Sequence, residues 1–302
     1  MVDEPDLLTV DVIVIGAGPV GENVSDRVVQ GGLSAAVVES ELVGGECSYW
    51  ACMPSKALLR SGQVLRAANA VPGAREAITG SLDTAAVLGR RDAFASHYDD
   101  RDQVASLGRA GVTLVRGSGR ITGPRRVEVS GAGPRTRVLL ARHAVVVATG
   151  SAPVIPPIDG LAAARPWTNR QAKSAKQAPR RLAVLGGGVI ATEVATAWRD
   201  LGSEQVVVLE RGPRLLARVE PFAGEAVKPP RPRYRRAAGV GVSAVRRPDP
   251  GGLATVILDD GDQLVVDEIL VAAGRRPRTD DIGLETLGLE PGATVEVDDT
   301  AG

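Results

Sequence analysis

Apolar and polar positions fall along the chain in blocks that repeat. Leu8-Thr9-Val10-Asp11-Val12-Ile13-Val14-Ile15 is β-branched and mostly apolar, which suits a strand buried on both faces of a parallel sheet. The turn Gly16-Ala17-Gly18-Pro19-Val20-Gly21 follows, then a helix-compatible stretch to about Gln30, stopped by Gly31-Gly32. Ala35-Ala36-Val37-Val38-Glu39 predicts a second strand and completes a βαβ unit of about 30 residues. The pattern returns at Arg181. Leu182-Ala183-Val184-Leu185 predicts a strand, Gly186-Gly187-Gly188-Val189-Ile190-Ala191 a turn, and a helix runs to about Leu201. Gln205-Val206-Val207-Val208-Leu209-Glu210 is the next strand. Between these units, residues 48–70 and 92–110 predict helices, and 112–115, 126–129, 138–140 and 144–147 predict short strands. The stretches 153–157 and 170–180 predict connectors, and 253–258 with 263–272 a hairpin and a closing strand. The fold class expected is α/β, with two Rossmann-like dinucleotide-binding domains.

Composition narrows the function. At 302 residues two domains are expected. Hydrophobic residues make up 44% and charged residues 24%, enough to bury a core. Aromatics are 3%, so aliphatic residues and alanine must supply most of it. The 36 basic residues balance the 36 acidic ones, which argues against nucleic-acid and membrane-surface partners. Two cysteines cannot build an extracellular disulfide framework. No apolar run is long enough to span a bilayer, and the acidic start Met-Val-Asp-Glu-Pro-Asp-Leu-Leu shows no leader, so a cytoplasmic location is expected.

Each glycine of the first turn has a physical task. Gly16 makes the tight exit from the strand, Gly18 lets backbone approach a pyrophosphate, and Gly21 lets the helix pack against the sheet. The helix N-terminus attracts phosphate, and Glu39, 18 residues after Gly21, can accept hydrogen bonds from ribose hydroxyls. The second turn carries Gly186, Gly188 and Ala191, with Glu210 19 residues further on. A carboxylate there favours the free 2′-hydroxyl of NAD(H) over the 2′-phosphate of NADP(H). Arg211 and Arg214 pull the other way, and NAD(H) is the expectation.

Residues 44–56 read Gly-Gly-Glu-Cys-Ser-Tyr-Trp-Ala-Cys-Met-Pro-Ser-Lys and contain both cysteines, Cys47 and Cys52. Five residues apart at the start of a predicted helix, they should lie about one turn apart. That placement suits an exchangeable disulfide and a thiolate near a helix N-terminus. Zinc spacing is absent, and no histidine stands nearby, so no metal is expected.

These motifs resemble the class I pyridine nucleotide-disulfide oxidoreductases, the flavoprotein disulfide reductases that include dihydrolipoamide dehydrogenase, glutathione reductase and mercuric reductase. The carrying residues are the first turn with Glu39, the stretch 44–56, Ala148-Thr149-Gly150-Ser151, the second turn through Glu193 with Glu210, and Ala273-Gly274-Arg275-Arg276-Pro277. The resemblance implies FAD held by Gly16, Gly18, Pro19, Gly21, Glu39, Gly45, Lys56, Gly117, Thr149 and Gly150. It implies NAD(P)H held by Gly186, Gly188, Val189, Ile190, Glu193, Glu210 and Gly274. Hydride would pass from NAD(P)H through the flavin to a Cys47–Cys52 disulfide, and on to a disulfide or similar small-molecule acceptor. Cys52 would be the flavin-facing thiol and Cys47 the interchange thiol. Lys56 would sit beside the flavin, paired with Glu193. The implied domains are 1–155 for FAD, 156–275 for NAD(P), inserted in the first, and 276–302 as a partial return.

The chain departs from the family at several places. Ser48 and Ala51 replace an aliphatic residue and a glycine, and Val189 stands where several relatives carry a gating tyrosine. Pro229, Pro230 and Pro232 should break or shorten the helix expected after the Glu210 strand. Full-length relatives are homodimeric, and the C-terminal interface domain that supplies their His-Glu pair is not found here, so a C-terminally truncated chain is expected. His97 and His143 are the only histidines and are expected to be surface residues rather than the acid-base. Two other readings remain open: a non-catalytic nucleotide-binding remnant, and a two-domain enzyme like thioredoxin reductase. The second is disfavoured by the C-x4-C spacing and by its place after the first turn.

Overall fold

The computed structural model describes residues 6–131, 136–226 and 234–299. Packing divides the chain into two units. The first comprises Met1–Tyr49, Tyr98–Ala152 and Arg276–Gly302; the second comprises Trp50–His97 and Pro153–Arg275. The sequence expectation placed 50–97 with the first domain, whereas packing groups it with the second.

In the first unit a six-stranded sheet runs in the order Thr113–Arg116, Ala35–Glu39, Asp6–Ile15, Arg137–Val147, Arg126–Ser130, Ser118–Gly123. The first four strands are mutually parallel, and the last two pair antiparallel. The central strand obeys the period of two. Ile13 and Ile15 pack on one face with Val127, Leu139, Ile282 and Leu284. Val12 and Val14 pack on the other with Leu107 and Val112. The two short strands expected at 138–140 and 144–147 are one strand, Arg137–Val147, which absorbs its polar interruption through an irregularity in the register opposite Val10 and Val12. Ser118–Gly123 escaped the sequence pattern because two glycines and one large apolar residue leave little β signal.

The second unit holds a four-stranded parallel sheet in the order Tyr234–Ala238, Gln205–Glu210, Arg181–Leu185, Glu268–Val271. An antiparallel meander, Val242–Arg246, Ala254–Leu258 and Gln263–Val266, adds a second layer. One core collects Leu182, Val184, Val194, Ala195, Trp198, Val206 and Val208 together with Leu58, Val87 and Leu88. The last three come from the helices Cys52–Asn69 and Thr84–Phe94, which explains why 50–97 belongs here. Arg91 is fully buried, and its guanidinium donates to the carbonyls of Lys173 (2.7 Å) and Ala175 (3.0 Å).

Residues 170–180 are not merely a connector: Asn169–Ser174 is a helix with a capping box, Thr168 and Gln171 bonding each other's backbone. The proline cluster Pro229-Pro230-Arg231-Pro232 lies outside the described residues; before it stands the six-residue helix Pro221–Ala226. Among the described residues no helix is long and apolar enough to cross a membrane.

Candidate functional site

The first glycine turn sits at the C-terminal end of the central strand of its sheet. Gly16 has φ +104°, and a Cβ there would lie 2.4 Å from the Ala148 carbonyl oxygen. A Cβ on Gly21 would lie 1.9 Å from the Gly16 carbonyl oxygen, so helix and turn touch through hydrogen alone. Gly18, by contrast, has nothing within 4 Å of its would-be Cβ. It caps the helix Pro19–Gln30, and no side chain takes the cap position. The loop Gly44-Gly45 lies on this turn: Gly44 N–H donates to the Ala17 carbonyl (2.7 Å), and a Cβ on Gly45 would come within 2.9 Å of Gly18 Cα.

Glu39 ends the neighbouring strand. Its two carboxylate oxygens accept from the N–H groups of Ala17 (2.7 Å) and Glu41 (2.7 Å), and each retains lone-pair capacity. Gly117 N–H donates to the Glu39 carbonyl (3.0 Å), which brings both predicted residues together. Burial, then the charge of Glu39, raises the pKa of Glu22 in the first turn of the helix. Gly150, at φ +70°, is exposed beside the half-buried Thr149. Its carbonyl accepts from Arg278 N–H (3.0 Å), and the Arg278 guanidinium reaches Glu46 at 3.8 Å. Arg278 gave no sequence signal beyond following Gly274-Arg275-Arg276-Pro277.

The second turn repeats this geometry within its own unit. A Cβ on Gly186 (φ +107°) would lie 2.4 Å from the Ala272 carbonyl oxygen, Ala191 is buried, and Gly188 is open. A cleft of about 700 Å³ opens in front of it, lined by Gly186, Gly188, Val189, Ile190, Glu210 and Gly274 among others. All six were expected at a nucleotide. Glu210 accepts from Gly212 N–H (2.6 Å). Arg214 spends its guanidinium on the carbonyls of Leu216, Ala217 and Val219 at 2.9–3.0 Å. Arg211 and Arg218 are exposed at the rim, and Arg218 was not anticipated.

The thiol segment differs from expectation. Cys47 belongs to the short helix Gly45–Tyr49, whereas Cys52 is the first residue of the helix Cys52–Asn69. Pro54 gives the reason: a helix continued backwards would drive its ring into the Trp50 carbonyl, so a new helix starts at Cys52. Ala51 makes the break at φ −128°, ψ −94°. Both cysteines are thiols in this structure, Cys47 half-buried and Cys52 exposed. Tyr49, between them in sequence, is fully buried and donates to the Val43 carbonyl (2.9 Å). Burial, then the charge of Asp100, pushes its phenol up to about 12, which removes it as a base near neutrality.

The expected Lys56–Glu193 pair is replaced by another. Glu193 accepts from the Ser55 hydroxyl (2.6 Å) and from Lys173 Nζ (3.2 Å), both through one oxygen. Ser55 and Leu58 share the buried face of their helix, and Lys56, 100° round from Ser55, faces out and is exposed. The Lys173 side chain is only 3% exposed. It was missed because its segment read as a polar connector; the Thr168-x-x-Gln171 capping signature was the available signal. His143 and His97 are both exposed, His97 in a left-handed turn with Ser96 and Tyr98.

Two Rossmann-like units, each with an open glycine turn at a helix N-terminus, place the chain in the class of two-domain dinucleotide-binding folds. Comparison with known proteins agrees. Residues 10–301 match the family described as pyridine nucleotide-disulphide oxidoreductase. The chain is 36% identical over 301 residues to dihydrolipoyl dehydrogenase 3 of Pseudomonas aeruginosa, covering 92% of this chain and 61% of that one. It is 29% identical over 292 residues to mercuric reductase of Staphylococcus aureus, covering 95% and 52%. Its fold is similar to the HOCl-induced flavoprotein disulfide reductase RclA of Escherichia coli, with a TM-score of 0.75, 22% identity, and coverage of 95% and 62%. The chain thus spans between about half and three fifths of the length of these relatives. It belongs to the pyridine nucleotide-disulphide oxidoreductase family.

Proposed function

We propose that this chain is the dinucleotide-binding and dithiol-bearing part of an FAD- and NAD(P)H-dependent oxidoreductase acting on a disulfide or similar acceptor. The observation that carries this reading is the hydrogen bond from Ser55 to Glu193. It ties the helix that begins at Cys52 to the helix that begins at the second glycine turn.

The residues present fit the cofactors. Gly18 and Gly188 leave room where a side chain would block a pyrophosphate, and Glu39 keeps acceptor capacity for a ribose. Bound FAD would supply two-electron chemistry between a nicotinamide and a disulfide. Gly16, Gly18, Pro19, Gly21 and Gly45 shape the diphosphate seat, with Glu39 and Gly117 at the adenosine end and Thr149-Gly150 offering backbone. Gly186, Gly188, Val189, Ile190 and Gly274 line the nicotinamide-nucleotide cleft. Reducing a Cys47–Cys52 disulfide takes two electrons and two protons and leaves two thiols. Cys52 takes the flavin-facing role and Cys47 the interchange role. Lys56, exposed and without an ion pair among the described residues, supplies positive charge near the reacting ring. Glu193 is held on the protein side by Lys173 and Ser55.

NAD(H) is favoured over NADP(H). Glu210 points a carboxylate at the cleft, and Arg214 is committed to backbone carbonyls. The test is anaerobic titration of FAD-loaded protein with NADH and NADPH. Flavin bleaching followed by a long-wavelength band that Cys52→Ser abolishes is the expected result. Failure to take up FAD, or no spectral change, would overturn the reading in favour of a non-catalytic nucleotide-binding protein. Tighter binding of NADPH would overturn the cofactor preference alone.

A further inference from the structure

Asn169 joins the wall of the nucleotide cleft to the segment that carries Cys52. It is 2% exposed and lines the cleft beside Arg275 and Gly274. Its side-chain oxygen accepts from Arg275 Nη1 (3.1 Å), and its amide nitrogen donates to the Trp50 carbonyl (3.3 Å). Trp50 is followed by the Ala51 break and then by Cys52. The neighbouring Arg170 lays its guanidinium over the Trp50 ring, 4.0 Å from its centre. The ring is thus held by one residue of this short helix and the carbonyl by another.

We propose that Asn169 is a positioning residue that makes the reactivity of Cys52 depend on what fills the nucleotide cleft. The inference rests on the proposal that the cleft takes a nicotinamide dinucleotide. Arg275 is a fixed cation on the cleft wall, and an anionic ligand competes with Asn169 for its donors. When Arg275 turns to the ligand, Asn169 loses one of its anchors, and its amide can shift against the Trp50 carbonyl to which it donates. The Trp50 ring stays in place under Arg170, so the change falls on the Ala51 link and on the first turn that presents the Cys52 thiol. One hydrogen bond is of the right size for a moderate effect, about three- to tenfold in a rate.

The probe is tetrahydro-NAD, a ring-reduced analogue that neither gives nor accepts hydride. Alkylation of Cys52 by iodoacetamide is followed by peptide mass spectrometry in the FAD-loaded, prereduced full chain. Rates are compared with and without saturating analogue, with saturation set for each variant by calorimetry. In the wild type the analogue should raise the Cys52 rate about three- to tenfold. Asn169→Asp keeps the acceptor for Arg275 and removes the donor to Trp50, so the ratio should collapse to about one. Asn169→Ala should do the same. A merely structural role would shift rates with and without analogue alike and leave the ratio intact. Binding with no change in the wild-type rate, or an unchanged ratio in both variants, would overturn the inference while leaving the cofactor reading in place. No binding of the analogue would overturn both.

Discussion

Glu193 and Lys173 can be separated by mutation in a way that tests who depends on whom. The Lys173 side chain is 3% exposed and that of Glu193 33%. Glu193→Gln removes the counter-charge and strands an ammonium where little water reaches it. Breaking a buried pair from one side typically costs 3–5 kcal/mol, and the partly exposed acid and the remaining amide oxygen reduce that to about 2–3 kcal/mol. Lys173→Met should cost less, about 1 kcal/mol, because Glu193 keeps the Ser55 hydroxyl and a third of its surface in water. In a unit of this size each kcal/mol moves the melting temperature by about 2–4 °C, so Glu193→Gln should lower it by about 5–10 °C. The double variant Glu193→Gln/Lys173→Met should cost about 1–2 kcal/mol rather than the additive sum of about 3–4, a coupling of about 2 kcal/mol. Scanning calorimetry of the four proteins without added nucleotide gives the cycle. Should Lys173→Met prove as damaging as Glu193→Gln, or the double variant show the simple sum, the ion pair does not hold this region together.

Gly18→Ala and Gly21→Ala separate binding from folding. The first places its methyl in open space and should leave the melting temperature nearly unchanged while reducing FAD retention, read from absorbance after gel filtration. The second meets a backbone oxygen and should destabilise by about 1–3 kcal/mol, seen in the melting curve before any cofactor is added. Asp11 is held down to about 2 from an ordinary 3.8, first by the Ser34 hydroxyl, then by the Ser34 N–H and Arg142. Its folded pKa is depressed, so its contribution is complete above about pH 4 and disappears as the pH falls towards 2. Carbon-detected NMR titration should find the low value in the wild type and a value nearer 3.8 in Ser34→Ala. Thr168→Ala removes one arm of the capping box and should cost about 1 kcal/mol by thermal melting.

The two βαβ units were legible because their signals are local. A β-branched strand, a glycine turn and an acidic strand end occupy about 30 contiguous residues, and steric necessity at Gly16 and Gly21 enforces the pattern. Long-range choices were not legible. Nothing in residues 50–97 says that Leu58, Val87 and Leu88 pack with Trp198 rather than with the preceding strands. The two helices around the cysteines also resisted prediction, since spacing counts turns and only Pro54 marks where a helix must restart. The choice of partner for Glu193 failed for the same reason. Ser55 and Lys56 are adjacent in sequence and 100° apart on the helix, and the buried lysine came from a stretch whose polarity suggested a surface link.

The interleaving of the two units sets an order of assembly during synthesis. Ile13 waits for Leu284, 271 positions later, before its face of the first sheet is covered. At typical ribosomal speeds that is roughly 15–50 s of exposed apolar strand. The second unit has the opposite schedule: its helical layer, with Leu58 and Leu88, emerges first and must stay soluble until the strands from Leu182 onward arrive. A piece spanning only 153–275 would lack that layer, so any dissection of the nucleotide cleft has to carry residues 50–97 with it.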